Sequence, residues 1–328
     1  MKAVALLSGG LDSVLALELV LSQKIEVKGV NFVTPFLQKN QEFVLRQAEE
    51  LGIALVTIKL GEDYLELVRN PKHHYGRYLN PCIDCRILMF GKAKDLFEEE
   101  KSFLVTGEVL GQRPSSQYKS AFLEIEKEAG LFGRVLRPLS AKLLPLTIPE
   151  KEGLVNREEL LAIEGRSRKQ QLKLAKEFGI TNYLSPAGGC LLTEKEFSVR
   201  LGDLFVHKKK IKISEMELLK LGRHFRLSPE IKLIVGRNEK ENKSLASLAG
   251  EESFFLEAEG VPGPLALLEK GDKKFVSLAA GIVAAHSDAR DFSSVPVNYW
   301  NSLEKSSIVV KPLKDIEKLR VLRIGSRL

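Results

Sequence analysis

Short apolar runs alternate with helical segments through the first 140 residues, and the first run ends in a tight glycine turn. Residues 4–7 are apolar, 12–21 have helical apolar spacing, and 27–33 are strand-like. Residues 41–51 form an amphipathic helix candidate and 54–58 a third strand. Residues 87–97 read as helix, 103–106 as a fourth strand, and 135–136, just before Pro138, as a fifth. Strands alternating with helices predict a parallel sheet covered on both faces, an α/β fold. Right-handed crossovers then put the loop after the first strand at the carboxyl edge, where such sheets bind ligands.

The pattern changes further on. Residues 139–193 are less regular; 158–178 read as a helix carrying an Arg/Lys cluster, and Ser185-Pro186-Ala187-Gly188-Gly189-Cys190 is turn-rich. His207-Lys208-Lys209-Lys210 marks a basic linker. Beyond residue 228 come short strands at 231–235, 253–256 and 275–276, then a small-residue helix at 278–286, which together predict a compact, smaller α+β domain. The expected division is 1–195, a basic linker region 196–229, and 230–328. A length of 328 residues suits two domains. The net charge of +7 favours a polyanionic partner such as RNA. No apolar run reaches the roughly 18 residues of a membrane span. The apolar start is too short for a signal peptide, so a cytoplasmic protein without a membrane partner is expected.

Ser8-Gly9-Gly10-Leu11-Asp12-Ser13 lies between the first strand and the first helix. The glycines let the backbone turn tightly, and free N–H groups at the helix start face an anion. The hydroxyls of Ser8 and Ser13 add donors, and Asp12 can hold Mg²⁺. The segment lacks the Gly-Lys-Ser/Thr ending of a Walker loop. It resembles the Ser-Gly-Gly-x-Asp-Ser loop of the PP-loop ATP pyrophosphatase superfamily. That resemblance implies ATP cleavage between the α and β phosphates and adenylation of a carbonyl oxygen. A plain glycine turn before a helix is the alternative.

The three cysteines occupy turn or helix-start settings: Pro81-Cys82-Ile83-Asp84-Cys85, then Cys190. An odd, sparse count argues against a disulfide framework and favours metal or redox chemistry. Several readings stay open. The first is a 4Fe–4S cluster on three thiolates, with one iron left for sulfur. The second is a persulfide resolved by disulfide formation. The third is structural zinc, with His73 or His74 as fourth ligand. The fourth is three inert thiols. Several tRNA thiolases of the sulfur-transferring branch look similar here, with a C-x-x-C after the third strand and one distant cysteine. That resemblance implies a cluster held by Cys82, Cys85 and Cys190.

Leu104-Val105-Thr106-Gly107-Glu108-Val109-Leu110-Gly111-Gln112 follows the fourth strand, with Ser116-Gln117 beyond it and Arg137-Pro138-Leu139 downstream. These segments closely resemble the tRNA 4-thiouridine synthase family over residues 1–195. The resemblance implies nucleotide contacts from Thr106, Gly107 and Gln112. It implies a catalytic Glu108 that binds Mg²⁺ or positions the uridine. It also implies tRNA as substrate and sulfide or a cysteine desulfurase as sulfur donor; a homodimer is left open, as is 2-thiouridine as the product. In that family an RNA-binding extension precedes the catalytic domain; here the loop starts at Ser8, so the tRNA is expected to be gripped elsewhere. The basic cluster Arg166, Arg168, Lys169 is one candidate, with a solvated helix face as its alternative. Gly236-Arg237-Asn238, Pro262-Gly263 and His286-Ser287-Asp288-Ala289-Arg290 resemble the RNA-binding domain of the NFACT family, over residues 230–328. That resemblance makes Arg237 and Arg290 candidate RNA contacts. The family's Trp-x-His strand appears here as Phe254-Phe255-Leu256-Glu257, a departure. Two rivals share these features: another adenylating enzyme without RNA, and a non-catalytic ribosome-associated RNA-binding factor.

Overall fold

The computed structural model describes residues 2–37, 41–184 and 189–325. The chain forms two compact units, Met1–Thr193 and Glu194–Leu328. Among the described residues no helix is long and apolar enough to cross a membrane.

The first unit contains β1 (Lys2–Leu6), α1 (Leu11–Leu21), β2 (Glu26–Val33), α2 (Gln41–Glu50), β3 (Ala54–Lys59) and α3 (Glu62–Arg69). It continues with α4 (Cys82–Lys94), β4 (Phe103–Val105), α5 (Lys119–Glu128), β5 (Val135–Leu136), α6 (Ile148–Lys151) and α7 (Lys169–Glu177). Five strands pair in parallel in the order β3-β2-β1-β4-β5. β1 is therefore central: the sheet grows one way through β2 and the other way through β4. Their reversal makes the carboxyl ends of β1 and β4 the switch point, where open sheets bind ligands. α1 is apolar almost all round, and Leu11, Val14, Leu15, Leu17 and Val20 are all buried. Such a helix belongs inside a core, and it anchors the loop that precedes it. Truncating Leu15 to alanine removes burial worth about 2–5 kcal/mol.

Two sequence expectations change in this unit. The helix beginning at Cys82 starts five residues before the apolar pattern does, so both cysteines of the C-x-x-C sit in its first turn. The single helix expected at 158–178 is only α7. The backbone N–H groups of Leu161, Ile163 and Gly165 instead bond the carbonyls of Pro138, Leu139 and Leu110. Gly165 adopts φ +82°, which breaks helical continuity. Residues 185–188 of the expected turn lie outside the described residues.

The second unit begins with α8 (Lys195–His207), α9 (Ile213–Leu219), β6 (Arg223–Arg226), β7 (Lys232–Val235), α10 (Glu239–Leu248) and β8 (Phe254–Ala258). It ends with β9 (Ala266–Leu268), α11 (Val276–Ala285), β10 (Val295–Trp300), β11 (Lys305–Val310), α12 (Ile316–Leu322) and β12 (Arg323–Ile324). Seven antiparallel strands run β11-β10-β8-β9-β7-β6-β12. The small residues of α11 let its backbone lie close to the sheet, and Ala279, Ala280, Ile282 and Val283 are fully buried. Where a basic linker is expected, 196–229, the chain forms α8, α9 and β6. α8 buries Phe197, Leu201 and Leu204 at helical spacing, and an apolar stripe of that kind packs rather than links. Residues 275–276 do not form a strand. Asp272 accepts the Lys274 N–H and caps a turn that runs into α11.

Candidate nucleotide and thiol site

The loop after β1 is shaped by backbone constraints. Gly9 takes φ +83°, and a Cβ there would meet Leu184 Cδ1 at 2.7 Å, so both conformation and space require glycine. Leu184 N–H donates to Gly9 O at 2.9 Å, tying the loop to the chain after α7. Ser13 is buried; its hydroxyl donates to Gly10 O (2.7 Å) and accepts from the Ser8 N–H (3.3 Å). Ser13 thus closes the loop internally, while Ser8 stays exposed. Gly10 caps α1 with no side-chain cap, leaving an anion-ready helix start.

The loop after β4 lies directly on this turn. A Cβ on Gly107 would sit 2.5 Å from the carbonyl carbon and oxygen of Asp12 and 2.6 Å from the Ser13 nitrogen. Gln112 Nε2 donates to Asp12 Oδ2 at 3.0 Å. The other oxygen, Oδ1, is buried with no hydrogen-bond partner, and Arg168 Nη2 stands 3.8 Å from it. Gly107, Gln112 and the residue 8–13 loop, all predicted from motifs, therefore meet. Thr106 turns the other way: its hydroxyl donates to Glu108 Oε2 at 3.2 Å.

Glu108 occupies a different setting from the expected metal-binding one. It is 2% exposed, accepts from Arg137 Nε (3.1 Å), and has Arg86 Nε 3.3 Å from its second oxygen. Arg137 also pairs with Glu126 and lies 3.8 Å above the Phe122 ring. Two guanidinium groups neutralise the carboxylate, so Glu108 joins α4 to the β4 and β5 ends as a buried ion-pair hub. Arg86 and Glu126 carried no sequence motif; only their meeting in space marks them.

The thiols gather beside the same loop. Ser115 Oγ donates to Cys82 Sγ at 3.4 Å, and Cys82 Sγ donates to Asn80 Oδ1 at 3.0 Å. Cys85 Sγ lies 3.2 Å from the hydroxyl of Tyr64, which is 2% exposed. The Tyr64 ring packs on Phe36, whose carbonyl accepts the N–H of Leu191, while Leu37 bridges Cys190. Burial raises the Cys85 thiol, partly offset by the Tyr64 hydrogen bond and the Arg86 charge. Burial pushes Cys190 up to about 12, against the Leu192 N–H, with the charges of Cys85 and Cys82 raising it further and Arg113 lowering it. Tyr64 is raised well above its ordinary range by burial and by the charges of Cys85, Cys190 and Cys82. Cys85, Cys190 and Tyr64 thus each feel the charge of neighbouring thiols.

These observations discriminate among the metal readings. A tetrahedral zinc with Zn–S bonds of about 2.3 Å needs sulfurs about 4 Å apart. Among the described residues the trio of donor atoms within 4.8 Å is His73, Glu124 and Glu128, not the thiols. Both ring nitrogens of His73 face carboxylates: Nδ1 is 3.1 Å from Asp84, and Nε2 is 3.4 and 3.3 Å from Glu124 and Glu128. Lys72 Nζ already reaches Glu128 at 2.6 Å, so this trio is an ion-pair network. Buried thiols that hold their protons are weak nucleophiles alone, but coordination deprotonates them outright.

The basic residues fall into distinct settings. Arg166 and Lys169 are exposed, whereas Arg168 is turned toward Asp12. Arg237 is held by Glu241, with Nε at 2.9 and 3.1 Å. Arg290 is exposed beside Asp291. The motifs passed over Arg223 and Arg323, which have no carboxylate within ion-pair distance among the described residues. Burial disfavours the Arg223 charge, and Arg323 and Arg237 add repulsion. Both Arg223 and Arg323 also act on His286, whose ring meets Phe225 edge-on at 5.7 Å. The signal was the alternation of Arg223 with Phe225 in Arg223-His224-Phe225-Arg226, which places both on one strand face.

This fold and site define an α/β domain with a glycine turn and an uncapped helix start at its switch point, followed by an antiparallel-sheet domain with clustered arginines. Residues 1–142 match the family model for the thiamine biosynthesis protein (ThiI), and residues 222–320 match that for the NFACT protein RNA binding domain. Both resemblances drawn from the sequence are thereby supported, the second beginning at residue 222 rather than 230. No curated protein matches the chain. Solved structures similar to parts of it include a predicted subunit of tRNA methyltransferase from Methanocaldococcus jannaschii, at 14% identity, over 58% of this chain and 96% of that one, TM-score 0.34. NMN synthetase from Francisella tularensis is similar at 15% identity, over 56% and 89%, TM-score 0.28. The C-terminal part of the fibronectin/fibrinogen-binding protein from Streptococcus suis is similar at 14% identity, over 48% and 79%, TM-score 0.29.

Proposed function

We propose that this chain is an ATP-dependent tRNA sulfurtransferase that converts a uridine to 4-thiouridine. The observation that carries the reading is the single loop after β4. It touches the anion turn through Gly107 and Gln112 and the thiol group through Ser115 and Cys82. Activation and sulfur delivery thus share one edge of one sheet.

The loop of residues 8–13 binds the pyrophosphate end of ATP through backbone N–H groups. The Oδ1 of Asp12, which accepts no hydrogen bond, fits a Mg²⁺ ligand alongside substrate phosphates. The uridine carbonyl oxygen attacks the α phosphorus, and pyrophosphate leaves. Hydrosulfide then attacks the adenylated carbon, the C–O bond breaks, AMP departs, and the sulfur loses its proton. Cys82, Cys85 and Cys190 would hold a 4Fe–4S cluster, which supplies an iron without a protein ligand as a place for exogenous sulfide. Fixed N–H donors of the loop stabilise negative charge developing on the phosphates. Exposed Arg166 and Lys169, and Arg223 and Arg323 of the second unit, supply phosphate contacts for tRNA.

Incubation with tRNA, MgATP and sulfide, followed by nucleoside mass spectrometry, should yield 4-thiouridine together with equal AMP and pyrophosphate. ADP as the nucleotide product would sink the adenylation step. A 2-thiouridine product would move the chemistry to the other carbonyl.

A further inference from the structure

Arg168 sits in a basic run that reads as an RNA-facing surface, yet its surroundings are those of the anion loop. Its Nε is buried without a hydrogen-bond partner, and Nη2 is 3.8 Å from Asp12 Oδ1, itself buried and without one. Three residues on, Gln171 is fully buried, and neither amide atom has a partner. Buried polar groups are nearly always paired, so unpaired groups on one helix turn beside an anion loop call for an explanation. Chance placement is a poor one. The N–H of Gly165 donates to Leu110 O at 2.7 Å, which ties the approach to α7 to the same loop that carries Gln112. A cation meant for RNA would gain from exposure, as Arg166 and Lys169 have.

We infer that Arg168 is a ligand of the bound nucleotide's phosphates, not of RNA. A guanidinium presents a planar fork of N–H donors that matches phosphate oxygens, and a partly desolvated site strengthens that contact. Asp12 is its partner while no phosphate is bound. Phosphate draws the guanidinium away and frees Asp12 Oδ1 for Mg²⁺. The inference rests on the ATP-binding reading above.

Isothermal titration with Mg²⁺ and α,β-methylene-ATP tests it, beside tRNA binding at fixed salt. Arg168→Ala should weaken nucleotide binding by at least about tenfold, or 1.4 kcal/mol, and leave tRNA affinity within about twofold. Arg168→Lys keeps the charge and loses the fork; it should fold, as read by thermal midpoint, and still bind nucleotide several-fold more weakly. Lys173→Ala, an exposed change on the same helix, should leave nucleotide binding unaltered. Folded Arg168 variants that bind nucleotide like the parent overturn the inference and leave the ATP reading standing. A loss of tRNA affinity equal to the loss of nucleotide affinity also overturns it. A parent protein that binds no nucleotide overturns both.

Discussion

Two regions of the molecule, one in each unit, handle charge in opposite ways. In the first, ionisable groups are drawn inward: Glu108 and Arg137 are 2% and 3% exposed and held by partners on other elements. In the second, around β6 and β12, Arg223 and Arg323 gather with no carboxylate at ion-pair distance among the described residues, while Arg237 is tied down by Glu241 of the adjoining α10. The first arrangement suits chemistry, which needs groups fixed in a low-dielectric setting. The second suits a grip on a polyanion, which needs available charge more than exact placement.

Several changes would sharpen or break that contrast. Replacing any one of Cys82, Cys85 or Cys190 with alanine should abolish thiolation while adenylation still releases pyrophosphate, read by nucleoside mass spectrometry and pyrophosphate assay. Retained thiolation in any of them would remove that thiol from the site. Next in size is Glu108→Ala, which strands the Arg86 guanidinium and leaves Arg137 with Glu126 alone, and should cost about 3–5 kcal/mol in chemical denaturation. A near-neutral result would show that the inward charges are not a rigid hub.

Gly107→Ala drives a methyl group into the Asp12 backbone. It should cost about 1–3 kcal/mol and weaken nucleotide binding, read by calorimetry. A pH series tests the buried thiol. Folded Cys190 holds its proton up to about 12, against an ordinary 9.0. The metal-free fold therefore binds more protons than the unfolded chain between those values. Its stability is full below pH 9 and falls as pH climbs toward 12, by at most about 1.4 kcal/mol per pH unit. Cys190→Ser should flatten that slope. The smallest effect is expected in the second unit: Arg223→Ala or Arg323→Ala should each lower the salt dependence of tRNA binding by about 0.9 per lost contact. An unchanged slope would end the reading of that patch as a phosphate surface.

Much of the site was legible because it is local. Ser8-Gly9-Gly10-Leu11-Asp12-Ser13 and Thr106-Gly107 are turns whose chemistry is carried by consecutive residues. The strands on which they ride announce themselves by apolar runs, and all five appeared where expected. Less legible were elements whose pattern is short or interrupted, such as α3 and α5. Residues 161–165 were misread as helix because their backbone partners lie at 138–139 and 110. The expected linker at 196–229 failed for a similar reason. Its lysines and arginines drew attention from the buried stripe of Phe197, Leu201 and Leu204.

By itself the sequence determined the glycine turn, the parallel α/β sheet and the identity of the three thiols, since each follows from residue type and spacing along a few turns of chain. Only the tertiary structure decided which charges meet. It set Arg168 against Asp12, closed Glu108 between Arg86 and Arg137, turned His73 toward carboxylates, and brought Arg223 and Arg323 together. Ion pairs form through space between residues far apart in the chain, so no local pattern encodes them; the packing of the elements that carry them does.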